Sequence, residues 1–244
     1  MPRHNAGDMR PALILIDVQH DFLSAPGLVP PRGALVDAIG RLLDAWRARR
    51  LPVIHVHTTI DDPGRAMPHW VAAGVTRCIR GSAGHAPPDR LAPLAGEPVV
   101  DKTFFSAFSS STFEQRLDEL QVDTLVISGI HTHGCVRSTA LDGYEHGYRV
   151  MLVEDAIGGY DALHGEQSMR YLDGRAATCV NSAHILACMD GMAHLDADEG
   201  PGEITHCSPA MRGEVRWRIA RTDVKQLLNL ATRAAMAHVA MRSW

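Results

Sequence analysis

Residues 123–155 read DTLVISGIHTHGCVRSTALDGYEHGYRVMLVED, and the fold is decided by this stretch. Residues 124–127 form an apolar run of the kind that a strand buried on both faces produces. Small and polar residues follow (Ser128, Gly129, Thr132, Gly134), and then Cys135. After it, Val136, Ala140 and Tyr144 recur at helical spacing. A second apolar run, 150–153, leads to Asp155. The order is strand, turn, helix, strand, the parallel crossover unit. Cys135 stands where strand hands over to helix. A thiol at that point feels the positive end of the helix dipole and unpaired backbone N–H groups, which favour thiolate and can hold a developing oxyanion. The alternative is a cysteine packed as a small hydrophobe.

Working outward, residues 12–16 (ALILI) give a first buried strand ending in Asp17, within DVQHDF. Ligands of open parallel sheets sit beyond the carboxyl ends of strands, so Asp17 is either placed for chemistry or caps a turn. Asp21 is assigned to turn capping. Leu35, Ile39, Leu42 and Trp46 predict a helix, and residues 53–58 a second strand. His55 and His57 alternate onto one face of that strand. They are read as core or pocket lining, since a metal would need a further ligand such as Asp61 or Asp62. Residues 60–98 are irregular and rich in Pro, Gly and His, and form a candidate substrate wall. A short strand at 98–101 precedes Lys102. That lysine either holds a neighbouring thiolate or carboxylate charged or snorkels over the following phenylalanines. A helix is expected over 113–120, a polar loop over 158–167, a helix from about Ser168, and a short strand over 176–180.

Composition is that of a water-soluble globule, 45% hydrophobic and 21% charged, with net charge −4 and scattered cations. Nucleic-acid binding is not indicated. The first ten residues lack the apolar core of a signal peptide, and no apolar run reaches membrane-spanning length. Five cysteines without a CxxC pair suit a reducing cytoplasm. His184 and Cys188, one helical turn apart, read as a packed helix face. Residues 1–195 are taken as one α/β domain. A linker at 195–209 and an apolar-striped helix over 221–244 follow, the latter expected to join copies into a dimer or tetramer.

Asp17, Lys102 and Cys135 each end or follow a strand and converge on one edge of a parallel sheet. Together with RGSAGH, GEPVVDKTFFSAF, GIHTHGCVRSTALD and GYRVMLVEDAIGG, in that order, they make the chain resemble the isochorismatase-like cysteine hydrolases, and most of all their amidase branch. The resemblance runs from about Ala12 to the 190s. It implies a three-layer αβα fold with a six-stranded, mainly parallel sheet, and a catalytic triad of Cys135, Lys102 and Asp17. It also implies a cis peptide at Ile130–His131, turning the His131 N–H toward the same point as that of Cys135 to form an oxyanion hole. The activity implied is hydrolysis of a small carboxamide or ureido compound with release of ammonia through a thioester. No cofactor is expected, and no metal, because no closed set of metal ligands can be read from the chain. Phe22, Trp70 and Phe105 are candidates to line the substrate, and His131 and His133 either face it or satisfy the backbone of the turn. Arg137 either meets a substrate carboxylate or bridges to a neighbouring helix. Nicotinamidases of this superfamily carry Asp-x-His after the second strand, whereas this chain has HTTIDD. Isochorismatase-type or nicotinamidase-type hydrolysis, and a non-catalytic ligand-binding relative, are the alternatives.

Overall fold

The computed structural model describes residues 10–187 and 189. Six strands form one sheet: β1 (Pro11–Ile16), β2 (Val53–Thr58), β3 (Val99–Lys102), β4 (Thr124–Ile130), β5 (Arg149–Gly158) and β6 (Thr178–Val180). Their spatial order is β3-β2-β1-β4-β5-β6, every neighbouring pair parallel. The central strands β1, β2 and β4 are buried throughout, which is why β1 and residues 125–127 of β4 read as apolar runs, while β2 buries His55, His57 and Thr58 among its aliphatic residues. Helices cover both faces. Leu13 and Leu15 pack against α2 (Arg32–Ala48) through Leu35, Ile39, Leu42 and Trp46. Ala12, Ile14 and Ile16 face the other way. There they join the cluster that holds Phe113 and Leu117 of α4 (Ser111–Glu119), Ala140 of α5 (Arg137–Glu145) and Leu172 of α6 (Ala162–Leu172). The short α1 (His20–Leu23) and α3 (Pro68–Ala72) lie in connections.

The chain winds outward from β1 to β2 and β3, then returns to the far side of β1 with β4. The reversal makes the carboxyl ends of β1 and β4 the topological switch point, where such sheets open a crevice. Close strand approach there requires glycine. Gly129 has φ +127°, and a Cβ on it would stand 2.0 Å from the Ile16 carbonyl oxygen.

Two boundaries differ from the sequence reading. β5 does not stop near Asp155 but runs on to Gly158, with its register against β4 shifting between Ile127 and Gly129. The Asp155 carboxylate accepts bonds from the backbone N–H and the hydroxyl of Ser182. α6 begins at Ala162, inside the segment expected to be a polar loop. Asp161 caps it by accepting from the His164 N–H at 2.9 Å. The expected linker and tail stripe beyond 190, the first nine residues, Cys188 and Cys207 lie outside the described residues. Among the described residues no helix is long and apolar enough to cross a membrane.

One partly buried ionic knot ties α2 to the sheet. Glu97 accepts from Arg47 Nε at 2.7 Å, Arg47 Nη2 at 2.8 Å, the Leu94 N–H at 2.9 Å and His55 Nε2 at 2.8 Å. Burial raises the Glu97 pKa, but Arg47, the Leu94 N–H and His55 outweigh it and bring the carboxyl to about 2. A depressed folded-state pKa gives stability that is present above the ordinary carboxylate value and lost as pH falls through the folded one. Glu97→Gln should therefore cost about 2–3 kcal/mol at pH 7. That corresponds to a melting temperature lower by roughly 5–10 °C. The gap to the parent should narrow as pH drops from 4.5 toward 2. Equal melting temperatures at pH 7 would show that the knot adds nothing to stability.

Candidate active site

β1 ends by delivering Asp17 to the switch point, with φ +54° and no exposed surface. Its Oδ1 accepts from the Thr58 N–H at 2.8 Å and from the Thr58 hydroxyl at 2.9 Å. Its Oδ2 accepts from Lys102 Nζ at 2.8 Å. Lys102 is fully buried at the end of β3, and also donates to Thr58 Oγ1 at 2.8 Å and to Cys135 Sγ at 3.5 Å. The register explains the convergence: Thr58 and Lys102 are cross-strand partners, and β1 lies on the other side of β2. Burial opposes charge on Lys102, yet Asp17 and Cys135 together hold its pKa above the ordinary value.

Cys135 lies in a widened, π-helical turn (Thr132–Val136) between β4 and α5. The N–H groups of Gly134 and Val136 both donate to the His131 carbonyl, fixing the turn. The Ile130–His131 peptide bond is cis. Burial first, and then the Asp17 carboxylate, push the Cys135 thiol up to about 12 against the pull of Lys102. The resting group is therefore a thiol beside an ion pair, and it needs an acceptor for its proton.

Aromatic rings flank the cis peptide. His131 packs at 5.2 Å from Phe22 and 4.6 Å from Tyr160, and Phe22 lies 6.3 Å from Trp70. Burial brings His131 down to about 4 and lifts Tyr160 to about 12, so this wall is neutral at pH 7. His133 stands 6.2 Å from His131 and 5.9 Å from His164, with its Nδ1 buried and unpartnered. Phe105 stacks on His69 at 5.8 Å and approaches Gly134.

Other sequence candidates stand elsewhere. Arg137 turns toward α6, with Nη1 3.5 Å from the Ser168 hydroxyl and its guanidinium over Tyr171, so it does not join the rings around His131. Asp21 does more than cap a turn: its carboxylate accepts from the Cys78 N–H at 2.7 Å and lies against Gly84, pinning the long loop. His55 is engaged by Glu97. Asp61, the nearest acid considered as a ligand beside the strand histidines, pairs with Arg80. Sequence reasoning did not find Thr58, which touches both Asp17 and Lys102. It also missed Gln19, whose amide accepts from the Thr58 N–H and donates to the carbonyls of Thr58 and His85. The glutamine of DVQHDF was its only signal.

An isochorismatase domain matches residues 11–184, which spans every element described above. The chain belongs to the isochorismatase family. It is 32% identical over 180 residues to maleamate amidohydrolase of Pseudomonas putida, covering 68% of this chain and 80% of that enzyme. It is 30% identical to ureidoacrylate amidohydrolase RutB of Azorhizobium caulinodans, over 59% of this chain and 74% of that one. An isochorismatase family protein from Desulfovibrio vulgaris superposes with a TM-score of 0.65 at 32% identity, covering 76% of this chain and all of the other. The isochorismatase-like α/β fold and the six-stranded parallel sheet agree with the sequence reading, and the protein is a hydrolase of this family.

Proposed function

We propose that this hydrolase is a cysteine-dependent amidohydrolase that cleaves the C–N bond of a small carboxamide or N-carbamoyl acid and releases ammonia. The observation that carries the reading is the buried contact of Asp17, Lys102 and Cys135 at the switch point, 2.8 Å and 3.5 Å across. In the first half-reaction the Cys135 proton passes to Asp17 as Sγ attacks the carbonyl carbon, and Lys102 balances the charge. The N–H groups of His131 and Cys135 hold the oxyanion. The C–N bond breaks, Asp17 returns the proton to the leaving nitrogen, and ammonia departs from the thioester. In the second half-reaction Asp17 takes a proton from water, hydroxide attacks the thioester, and the thiol is restored. Nucleophile, base and oxyanion donors all come from the chain. A thiol nucleophile requires reducing surroundings, which fits the cytoplasm.

The charge balance supports an acidic substrate. Arg77 is exposed and has no ion-pair partner among the described residues, and its charge is felt at His131, Tyr160 and Cys78. It takes the place expected of Arg137 as the cation that meets a substrate carboxylate. Ammonia release should be measured over maleamate, several ureido acids, nicotinamide and biuret. Turnover of maleamate or a ureido acid is expected, with KM raised about tenfold or more in Arg77→Ala. Ammonia from none of them, or turnover of nicotinamide alone, would overturn the reading.

A further inference from the structure

On the face of β2 and β3 away from Lys102, a second group of donors comes together. His57 and Asp101 are cross-strand partners, one residue before Thr58 and Lys102, so they project to the opposite side of the sheet. His85 arrives from the long loop. Ring nitrogens of His57 and His85 and a carboxylate oxygen of Asp101 lie within 4.8 Å of one another.

Hydrogen bonding shows what these groups have free. Thr59 Oγ1 is 2.7 Å from Asp101 Oδ1 and 2.8 Å from His85 Nε2. The carboxylate can only accept, so the single hydroxyl proton goes to Asp101, and His85 Nε2–H donates to Thr59. That leaves the lone pair of a neutral His85 on Nδ1. The His57 ring is 4% exposed, and its Nε2 is buried without any hydrogen-bond partner. Folded proteins rarely leave such an atom unsatisfied.

We propose that His57, His85 and Asp101 bind a divalent transition ion of the zinc type, outside the substrate crevice. Two imidazoles and one carboxylate, with a fourth position left to water, suit zinc, cobalt or nickel and are poor ligands for magnesium or calcium. Arg80 is the competitor, since its Nη1 lies 2.8 Å from Asp101 Oδ2. That bridge is exposed and cheap to break, and Arg80 keeps its second partner Asp61. The bound ion clamps three separate pieces: β2, the edge strand β3, and the loop that carries His85. Gln19, bonded to both Thr58 and the His85 carbonyl, connects this clamp to the residue that holds Asp17.

The test uses the full chain, stripped with chelator and titrated with zinc chloride in a calorimeter and in thermal melts. One equivalent should bind, and a hundredfold excess over Kd should raise the melting temperature by roughly 5–10 °C. His85→Ala and Asp101→Asn should lose both effects, whereas Cys135→Ala should keep them. Cobalt should give ligand-field bands without sulfur-to-metal charge transfer. The proposal fails if zinc leaves the parent's melting temperature unchanged. It also fails if the rise persists in His85→Ala and Asp101→Asn, or disappears in Cys135→Ala. Because none of these readouts is turnover, the result stands apart from the amidohydrolase reading.

Discussion

Cys135→Ala is expected to lower turnover by about 10⁴-fold or more while leaving the melting temperature within about 5 °C of the parent. The first half follows from the reaction. Among the described residues no other thiol touches the Asp17–Lys102 pair, and without the Cys135 sulfur no described group there can form the acyl intermediate. The second half follows from packing. Cys135 is small and 5% exposed, and its neighbour Val136 and the β4 strand hold the turn without it. Deleting one sulfur atom leaves a void smaller than a methylene pair, which costs about 1–2 kcal/mol at most. The Lys102–Asp17 bridge is untouched, so no charge is stranded. Cys135→Ser should be as inactive, because a hydroxyl in this buried place is far harder to ionise than the thiol. Ammonia release and melting, measured on the same samples, decide the matter. An alanine variant with parental turnover would remove Cys135 from the mechanism.

What could be read from the chain depended on how local its cause was. β1 and β4 announced themselves because strands buried on both faces are mostly apolar, as residues 12–16 and 125–127 are. Asp17 stood out because it follows such a run directly, and Lys102 and Cys135 because they stand at the carboxyl ends of expected strands. α6 was hidden. Its first turn holds Leu163, 62% exposed, and Gly165, a poor helix former, and its signal is the cap at Asp161 rather than an apolar stripe. Partnerships across the fold were illegible for a different reason. Glu97 meets His55 and Arg47, and Thr58 meets Asp17, only because parallel register brings distant segments level. The two histidines of β2 show the consequence. Adjacent on one face in sequence, they part company in the fold, one held by a carboxylate and the other left beside His85 and Asp101.

Removing Asp17 and removing Lys102 should move the Cys135 thiol in opposite directions. Burial and the Asp17 carboxylate raise that thiol and the Lys102 ammonium lowers it, which together leave it at about 12. Over pH 7–10 the parent's alkylation by iodoacetamide should therefore rise about tenfold per pH unit without a plateau. Asp17→Asn deletes the negative neighbour, and the thiol should become more acidic by about 1–3 units. A more acidic thiolate is also a weaker nucleophile, with a Brønsted slope of about 0.4–0.5, so a two-unit drop nets roughly tenfold faster alkylation at fixed pH. Lys102→Met deletes the cation and should slow alkylation by about tenfold or more. Each single variant strands a buried charge, at a cost of about 3–5 kcal/mol, while Asp17→Asn with Lys102→Met strands none and should regain most of the stability. Turnover separates reactivity from catalysis. Asp17→Asn should lose it although its thiol reacts faster, because no group is left to carry the proton from sulfur to the departing nitrogen and then from water. Slower alkylation in Asp17→Asn, or turnover retained there, would take the proton-carrying role from Asp17. A Lys102→Met thiol that reacts as in the parent would show that the lysine serves the frame of the site and not the charge of the nucleophile.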